Sequence, residues 1–241
     1  MPVPLREICR TFPEPLLAGR LVRRYKRFLA DIEMPGEGVV AVHCPNSGSM
    51  LGCLEEGAEV RCSRSGAPGR RTAYTWEMIR MGGRTWVGVN TMTPNLLAAR
   101  AAEREALAVF SGARLVRREV RLTARTRLDM VVERASGPLF VEVKNVTLVR
   151  GGVAQFPDAA TERGRRHLEE LMALSAQGAA CAMCYVIQRE DAEAFGPASD
   201  IDPAYARLYG EARSRGVSVI AIQARVAPEA VCLSRELPAL P

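Results

Sequence analysis

Lysine is nearly missing from this chain: of 33 basic side chains only Lys26 and Lys144 are lysines, and the rest are arginines. In a sequence so rich in alanine the ordinary cause is codon bias, which excludes no function but makes each retained lysine conspicuous. Histidine is as scarce, with His43 and His167 alone, which leaves little material for histidine-based catalysis. No stretch approaches the roughly 18 consecutive apolar residues of a membrane-spanning helix. Met1 to Glu14 lacks the apolar core of a secretion signal. The chain has no P-loop, no G-x-G-x-x-G and no G-x-S-x-G. Its seven cysteines are odd in number and scattered, unlike a secreted disulfide framework. Together these absences predict a cytoplasmic protein with no membrane partner.

A hydrophobic share of 48% beside 25% charged residues excludes a disordered or collagen-like chain. The formal charge of +6 permits a polyanionic partner without demanding one. From Gly19 to Thr91 the texture is of short strands, at Arg20–Ile32, Gly38–His43, Glu59–Arg64, Thr72–Met81 and Thr85–Thr91. Gly, Pro and Ser clusters separate them, SGAPG among these. Five strands at that spacing fit a small OB-type barrel. A helix is expected over Asn95–Phe110, where strong helix formers run without a breaker. Strands at Arg114–Leu122, Thr126–Glu133 and Leu139–Leu148 follow, then a helix at Ala159–Ala176, a strand at Ala180–Gln188, a helix at Pro203–Arg215 and a strand at Val217–Gln223. That order predicts a mixed sheet flanked by helices. The expected division is a β-barrel domain over residues 1–91 and an α/β domain over residues 92–241.

The densest chemistry lies on two adjacent strands of the second domain. Period-two alternation puts Leu128, Met130 and Val132 on one face and Arg127 and Asp129 on the other. On the next strand Leu139, Val141 and Val143 face a core, while Glu142 and Lys144 share the opposite face. If the strands pair as a hairpin, two carboxylates and an ammonium converge. Hard carboxylate oxygens suit Mg²⁺, which lowers the pKa of a bound water and stabilises phosphoryl charge. Glu-x-Lys also occurs as a plain solvated pair on a half-exposed strand. The scarcity of lysine favours the catalytic reading, because an arginine serves a surface ion pair equally well, whereas a compact charge beside a water calls for lysine.

Arg23, Arg24, Tyr25, Lys26 and Arg27 form an acid-free basic run with an aromatic interleaved. Taken as one strand, it presents Arg23, Tyr25 and Arg27 on one face and Arg24, Lys26 and Phe28 on the other. Such a surface neutralises phosphates and stacks bases; a charged edge strand guarded against aggregation is the alternative. The six arginines between Arg114 and Arg127 could extend the track. In CPNSGSM, Asn46, Ser47 and Ser49 with backbone amides could cradle an anion, although Asn-Ser-Gly is also ordinary turn chemistry. Cys181 and Cys184 form C-x-x-C on a strand, where residues three apart face opposite sides, so both read as core residues.

RYKRFLAD, CPNSGSM, RLDM, VEVKNVTL and FPDAATERGRRHLEEL, in that order, resemble the sugar fermentation stimulation protein A (SfsA) family. The resemblance implies an N-terminal OB-like β-barrel followed by a mixed-sheet PD-(D/E)xK nuclease-like α/β domain, DNA binding and a regulatory role in sugar utilisation. It carries the nuclease-like positions onto Asp129, Glu142 and Lys144. The expected site holds Mg²⁺ or Mn²⁺ on Asp129, Glu142 and the carbonyl of Val143, with Lys144 orienting water. Arg163 and His167, one helical turn apart, are expected to steady the phosphate, or else to be a boundary arginine and a satisfied histidine. DNA is the expected partner, with RNA also admissible. Arg100 stands where an acidic residue of the preceding helix is expected. Glu103 or Glu105 is then the substitute, or else the protein is a catalytically inactive DNA-binding regulator. Asp158 is expected to cap the helix that follows it, and Gly164 to bring that helix close to the sheet at a cost of about 1 kcal/mol.

Overall fold

A computed structural model of the protein describes residues 3–64, 71–122 and 127–241. The expected SGAPG turn, Thr126 and Arg125 lie outside the described residues. A short strand β1 (Cys9–Thr11) precedes the barrel strands β2 (Leu17–Tyr25), β3 (Leu29–Met34), β4 (Gly38–His43), β5 (Glu59–Arg64), β6 (Tyr74–Met81) and β7 (Thr85–Gly88). Their order is β4-β3-β2-β5-β6-β7, and a parallel bridge from His43 to Thr75 joins β4 to β6 and closes an OB-type barrel. Alternation builds its core: Ala30, Ile32 and Met34 of β3 are buried while Glu33 is exposed. Trp76 is fully buried and donates its indole N–H to the carbonyl of Met78 at 3.0 Å.

The expected single strand Arg20–Ile32 is instead the β2–β3 hairpin, turning at Lys26 to Phe28. Lys26 (φ 49°) and Arg27 (φ 62°) both take left-handed backbone conformations. The alternating faces expected of the basic run therefore end at Tyr25.

The second unit begins with α1 (Met92–Glu103), followed by β8 (Ala113–Arg121), β9 (Arg127–Arg134), β10 (Leu139–Val146), β11 (Leu148–Arg150), β12 (Val153–Phe156), α2 (Glu162–Ala176), β13 (Ala180–Ile187), β14 (Ala194–Pro197), α3 (Pro203–Ser214), β15 (Ser218–Val226) and β16 (Ala230–Glu236). The main sheet has the order β1-β16-β15-β13-β10-β9-β8, with β10, β13 and β15 parallel; β11, β12 and β14 form a small second sheet. One face packs on α1, where Leu97, Ala98, Ala101 and Ala102 meet Val141, Val143 and Cys184. The other packs on α2 and α3, where Leu168, Leu171 and Tyr205 meet Cys181, Met183 and Tyr185. Cys181 and Cys184 thus lie in opposite cores, as strand geometry requires.

Several expectations need correction. The helix expected over residues 95–110 starts earlier and stops at Glu103, because the chain turns at Glu105 in a left-handed conformation. Leu128 packs with the α2 side, away from Met130 and Val132. α2 begins at Glu162 with Thr161 as its cap, its hydroxyl accepting from Gly164 N–H at 3.0 Å, so Asp158 lies outside the helix. A Cβ on Gly164 would lie 3.1 Å from Tyr205 Cε2, so this glycine brings α2 close to α3 rather than to the sheet. β1 belongs to the main sheet of the second unit although it precedes the barrel, and Cys9 forms a disulfide with Cys232 directly across from it on β16.

The barrel and the sheet meet through buried polar groups. Glu77 of β6 accepts from Arg10 at 2.7 and 3.0 Å, from Ser63 at 2.8 Å and from Asn90 at 2.8 Å. Gly88 N–H donates to the carbonyl of Gln188 at 2.9 Å, and a Cβ there would lie 2.4 Å from Gln188 Oε1, so only glycine fits the junction. Among the described residues no helix is long and apolar enough to cross a membrane.

Candidate active site

The ladder between β9 and β10 ends at Met130 and Val141. One residue beyond, Asp129 takes over from the backbone: its Oδ2 accepts Val143 N–H at 2.9 Å, and its Oδ1 accepts the amide of Asn95 on α1 at 3.0 Å. The strands part there, and a cavity of about 410 Å³ opens at the end of the sheet. Asp129, Glu142, Val143, Lys144 and Arg163 line it from the second unit, and Asn46 and Ser47 face them from the barrel. Hairpin pairing therefore brings the two carboxylates and the ammonium together.

Glu142 is 1% exposed. Its Oε1 accepts from Lys144 Nζ at 2.5 Å and from His167 Nδ1. Arg163 Nε approaches His167 Nε2 at 3.4 Å. An arginine only donates, so Nε2 is the acceptor of that contact. Lys144 Nζ lies 2.9 Å from that same Nδ1. Glu142 Oε2 is buried with no hydrogen-bond partner among the described residues, and so is Oε1 of Gln155, which also lines the cavity.

The two carboxylates are driven apart electrostatically. Burial, reinforced by the charge of Glu142, pushes Asp129 up to about 6 despite Lys144 and the donors from Val143 and Asn95. Burial works to raise Glu142 as well, but the Lys144 ammonium and the His167 contact outweigh it and hold the group at about 2.

Arg100 does not enter the cavity; it donates to the carbonyl of Cys9, on the far side of α1. Glu103 is exposed, and Glu105 accepts Gly112 N–H at 2.6 Å, so neither substitutes. Asn95 is the residue α1 presents to Asp129. Pro94 marks this stretch as a first turn, a signal that could have placed Asn95 at the start of the helix, close to the strand ends. Asp158, Gln155 and Glu119 also line the cavity and were not anticipated there. Asp158 Oδ2 accepts Met50 N–H at 2.8 Å, and its carbonyl accepts Ser49 Oγ at 2.7 Å, so it fastens the CPNSGSM loop to the second unit.

The basic run divides. Arg24 donates through Nη2 to the carbonyls of Arg27, Asn46 and Gly48 at 2.8 to 2.9 Å, which makes it a staple for the loop. Asn46 is 5% exposed and accepts Gly48 N–H at 2.9 Å, so its side chain shapes the turn, while Ser47 is exposed. Arg23 is exposed, pairs with Asp31 at 2.8 Å and lies 5.1 Å over the Tyr25 ring. Lys26 and Arg27 are exposed at the hairpin tip. Among the described residues no three Asp, Glu, His or Cys side chains stand preformed around a common cation position.

The sequence matches two family models in tandem: the SfsA N-terminal OB domain over residues 22–89 and the sugar fermentation stimulation protein RE domain over residues 92–230. The chain belongs to the SfsA family. Sugar fermentation stimulation protein homologs from Geobacter sulfurreducens and Methylobacterium nodulans are 47% and 44% identical to it, across 95% and 94% of this chain and 97% and 98% of theirs. SfsA from Pyrococcus furiosus, solved in complex with Ca²⁺, superposes with a TM-score of 0.88 at 25% identity, covering 96% of this chain and 98% of that one. The SfsA arrangement of an OB barrel ahead of a mixed α/β sheet is therefore the fold of this chain.

Proposed function

We propose that this SfsA-family protein is a cytoplasmic nucleic-acid-binding enzyme that hydrolyses phosphodiester bonds in DNA or RNA with Mg²⁺ or Mn²⁺. The observation that carries the reading is the unpartnered Glu142 Oε2, buried beside Asp129 and Lys144 where the β9–β10 ladder parts. A buried carboxylate oxygen without a donor is costly unless something cationic satisfies it. Asp129, Glu142 and the carbonyl of Val143 offer only hard oxygens, the donor class Mg²⁺ and Mn²⁺ prefer. The Pyrococcus furiosus relative's complex with Ca²⁺, another oxygen-seeking cation, supports the same choice. When bound, such an ion lowers the pKa of a water and neutralises charge on a phosphoryl oxygen. Lys144, fixed by Glu142 and backed by His167, presents a compact charge to orient the water. Arg163 on the cavity wall faces the phosphate.

A binding protein without cleavage is the second reading, a DNA-binding regulator of sugar utilisation. The observation favouring it is Asn95, which supplies an amide to Asp129 where a third carboxylate would strengthen cation binding. Cleavage of single- and double-stranded DNA and RNA with Mg²⁺ or Mn²⁺ separates the two. Wild type is expected to cut, Asp129→Ala to be inactive, and Lys144→Arg to be strongly impaired. Equal cutting by Lys144→Arg removes the role given to Lys144. Salt-sensitive binding with no cleavage of any substrate establishes the regulator.

A further inference from the structure

A second cavity, of about 500 Å³, adjoins the first. The two share Ser47 and Gly48 on the barrel side and Phe156 and Asp158 on the other. They adjoin along these shared residues, which form two facing walls. The walls are fastened to each other by the bonds from Ser49 and Met50 to Asp158, at 2.7 and 2.8 Å. The barrel loop is held elsewhere too: Arg24 binds two of its carbonyls, and Thr91 Oγ1 donates to the carbonyl of Pro45 at 2.6 Å. Neither wall swings away without breaking several of these bonds.

Arg27 lines the outer chamber. It stands at the β2–β3 tip with φ 62°, after Lys26 with φ 49°, a conformation suited to Gly or Asn and strained for long side chains. Two consecutive basic residues kept there point to a task for the charge that outweighs the backbone cost. Phe156, which lines both cavities, is half-buried, its ring 5.2 Å from that of Tyr205.

We infer that the passage takes a single strand of nucleic acid, threaded from the Asp129–Glu142 chamber between Ser47 and Phe156 to a phosphate held by Arg27, and excludes an intact duplex. Duplex DNA is stiff over roughly 50 nm and cannot bend into a walled passage, whereas a single strand follows one and stacks its bases on an aromatic ring. The inference rests on reading the inner chamber as the place of the scissile phosphate, and it adds strandedness and the direction of the bound chain.

The test is binding of labelled oligothymidylate, oligouridylate and a blunt DNA duplex, each about 12 nucleotides long, to the full chain in EDTA, followed by fluorescence anisotropy. Single strands are expected to bind about tenfold or more tightly than the duplex. Ser47→Trp, which narrows the passage from an exposed position, is expected to lower single-strand affinity about tenfold and leave duplex affinity unchanged. Arg27→Gly relieves the left-handed strain, so it is expected to keep or raise the unfolding temperature while weakening single strands in the same way. The two single-stranded probes show whether the sugar matters. Equal affinity for duplex and single strand, or single-strand binding untouched by both variants, overturns the inference. If single strands bind as expected but nothing is cut with Mg²⁺ or Mn²⁺, the hydrolytic reading fails and the passage stands. If the interior of a duplex is cut as readily as a single strand, the passage fails and hydrolysis stands.

Discussion

Burial makes opposites of two charged regions, the open end of β10 and the β2–β3 hairpin. Glu142 and Lys144 are paired where water is nearly excluded, with side chains 2% and 13% exposed. Arg23 pairs with Asp31 at a similar distance, but its side chain is 70% exposed. In low dielectric each partner's presence dictates the other's state, and the loss of one leaves a charge with nothing to answer it. At the surface, water and salt replace a lost partner. The lesson is that a carboxylate and a cation at contact distance are either a coupled unit or a loose pair, and their solvent exposure decides which.

The largest difference between the two regions is expected at Glu142. Glu142→Ala strands Lys144 and removes the acceptor of His167, and is expected to cost about 3 to 5 kcal/mol in urea unfolding. A cost no greater than that of a surface substitution would erase the distinction between the two regions.

A smaller effect is expected from Asp129, read through pH. Its carboxyl titrates near 6 in the folded chain, above the ordinary carboxylate value, because of burial and Glu142. The folded state holds that proton more tightly than the unfolded one. The associated stability is therefore present in full below about pH 4 and fades as pH rises through 6. Asp129→Asn removes this term, so its urea midpoint is expected to exceed that of wild type at pH 7 and to approach it at pH 4. Glu142 has the reverse sign: held near 2, it contributes above the ordinary carboxylate range and is lost only in strong acid. Mn²⁺ affinity, followed by calorimetry, is expected to rise between pH 5 and pH 7 as Asp129 ionises, and a flat profile there would remove Asp129 from the cation site.

The smallest effect on folding is expected on the hairpin. Arg23→Ala leaves the urea midpoint where it was, and lowers the salt slope of nucleic-acid binding by about one. An unchanged slope would mean that this arginine serves only its pair with Asp31.

Much of the site was legible because strand alternation is local. VEVKNV places Glu142 and Lys144 on one face whatever surrounds them, and the pairing with β9 then needed only a short connection. The helix bearing Arg163 and His167 was equally readable, and α2 delivers His167 to Glu142. Asp158 was not legible: as an acid close before a helix it looks like a cap, yet its partners are Met50 and Ser49, more than 100 residues away in sequence. Arg24 was misleading for a similar reason, since its place in a basic run says nothing of the three carbonyls that the loop folds around it. The place of β1 depends on β16, at a separation of 223 residues between the two cysteines.

The sequence by itself determined the two-part architecture and which side chains share a strand or helix face, because period, propensity and turn chemistry act over a few residues. Tertiary structure alone decided which of those faces meet, how deeply each charge is buried, and that a barrel loop walls the cavity. Those outcomes follow from contacts between distant segments, whose solvent exclusion sets the strength of every charge inside.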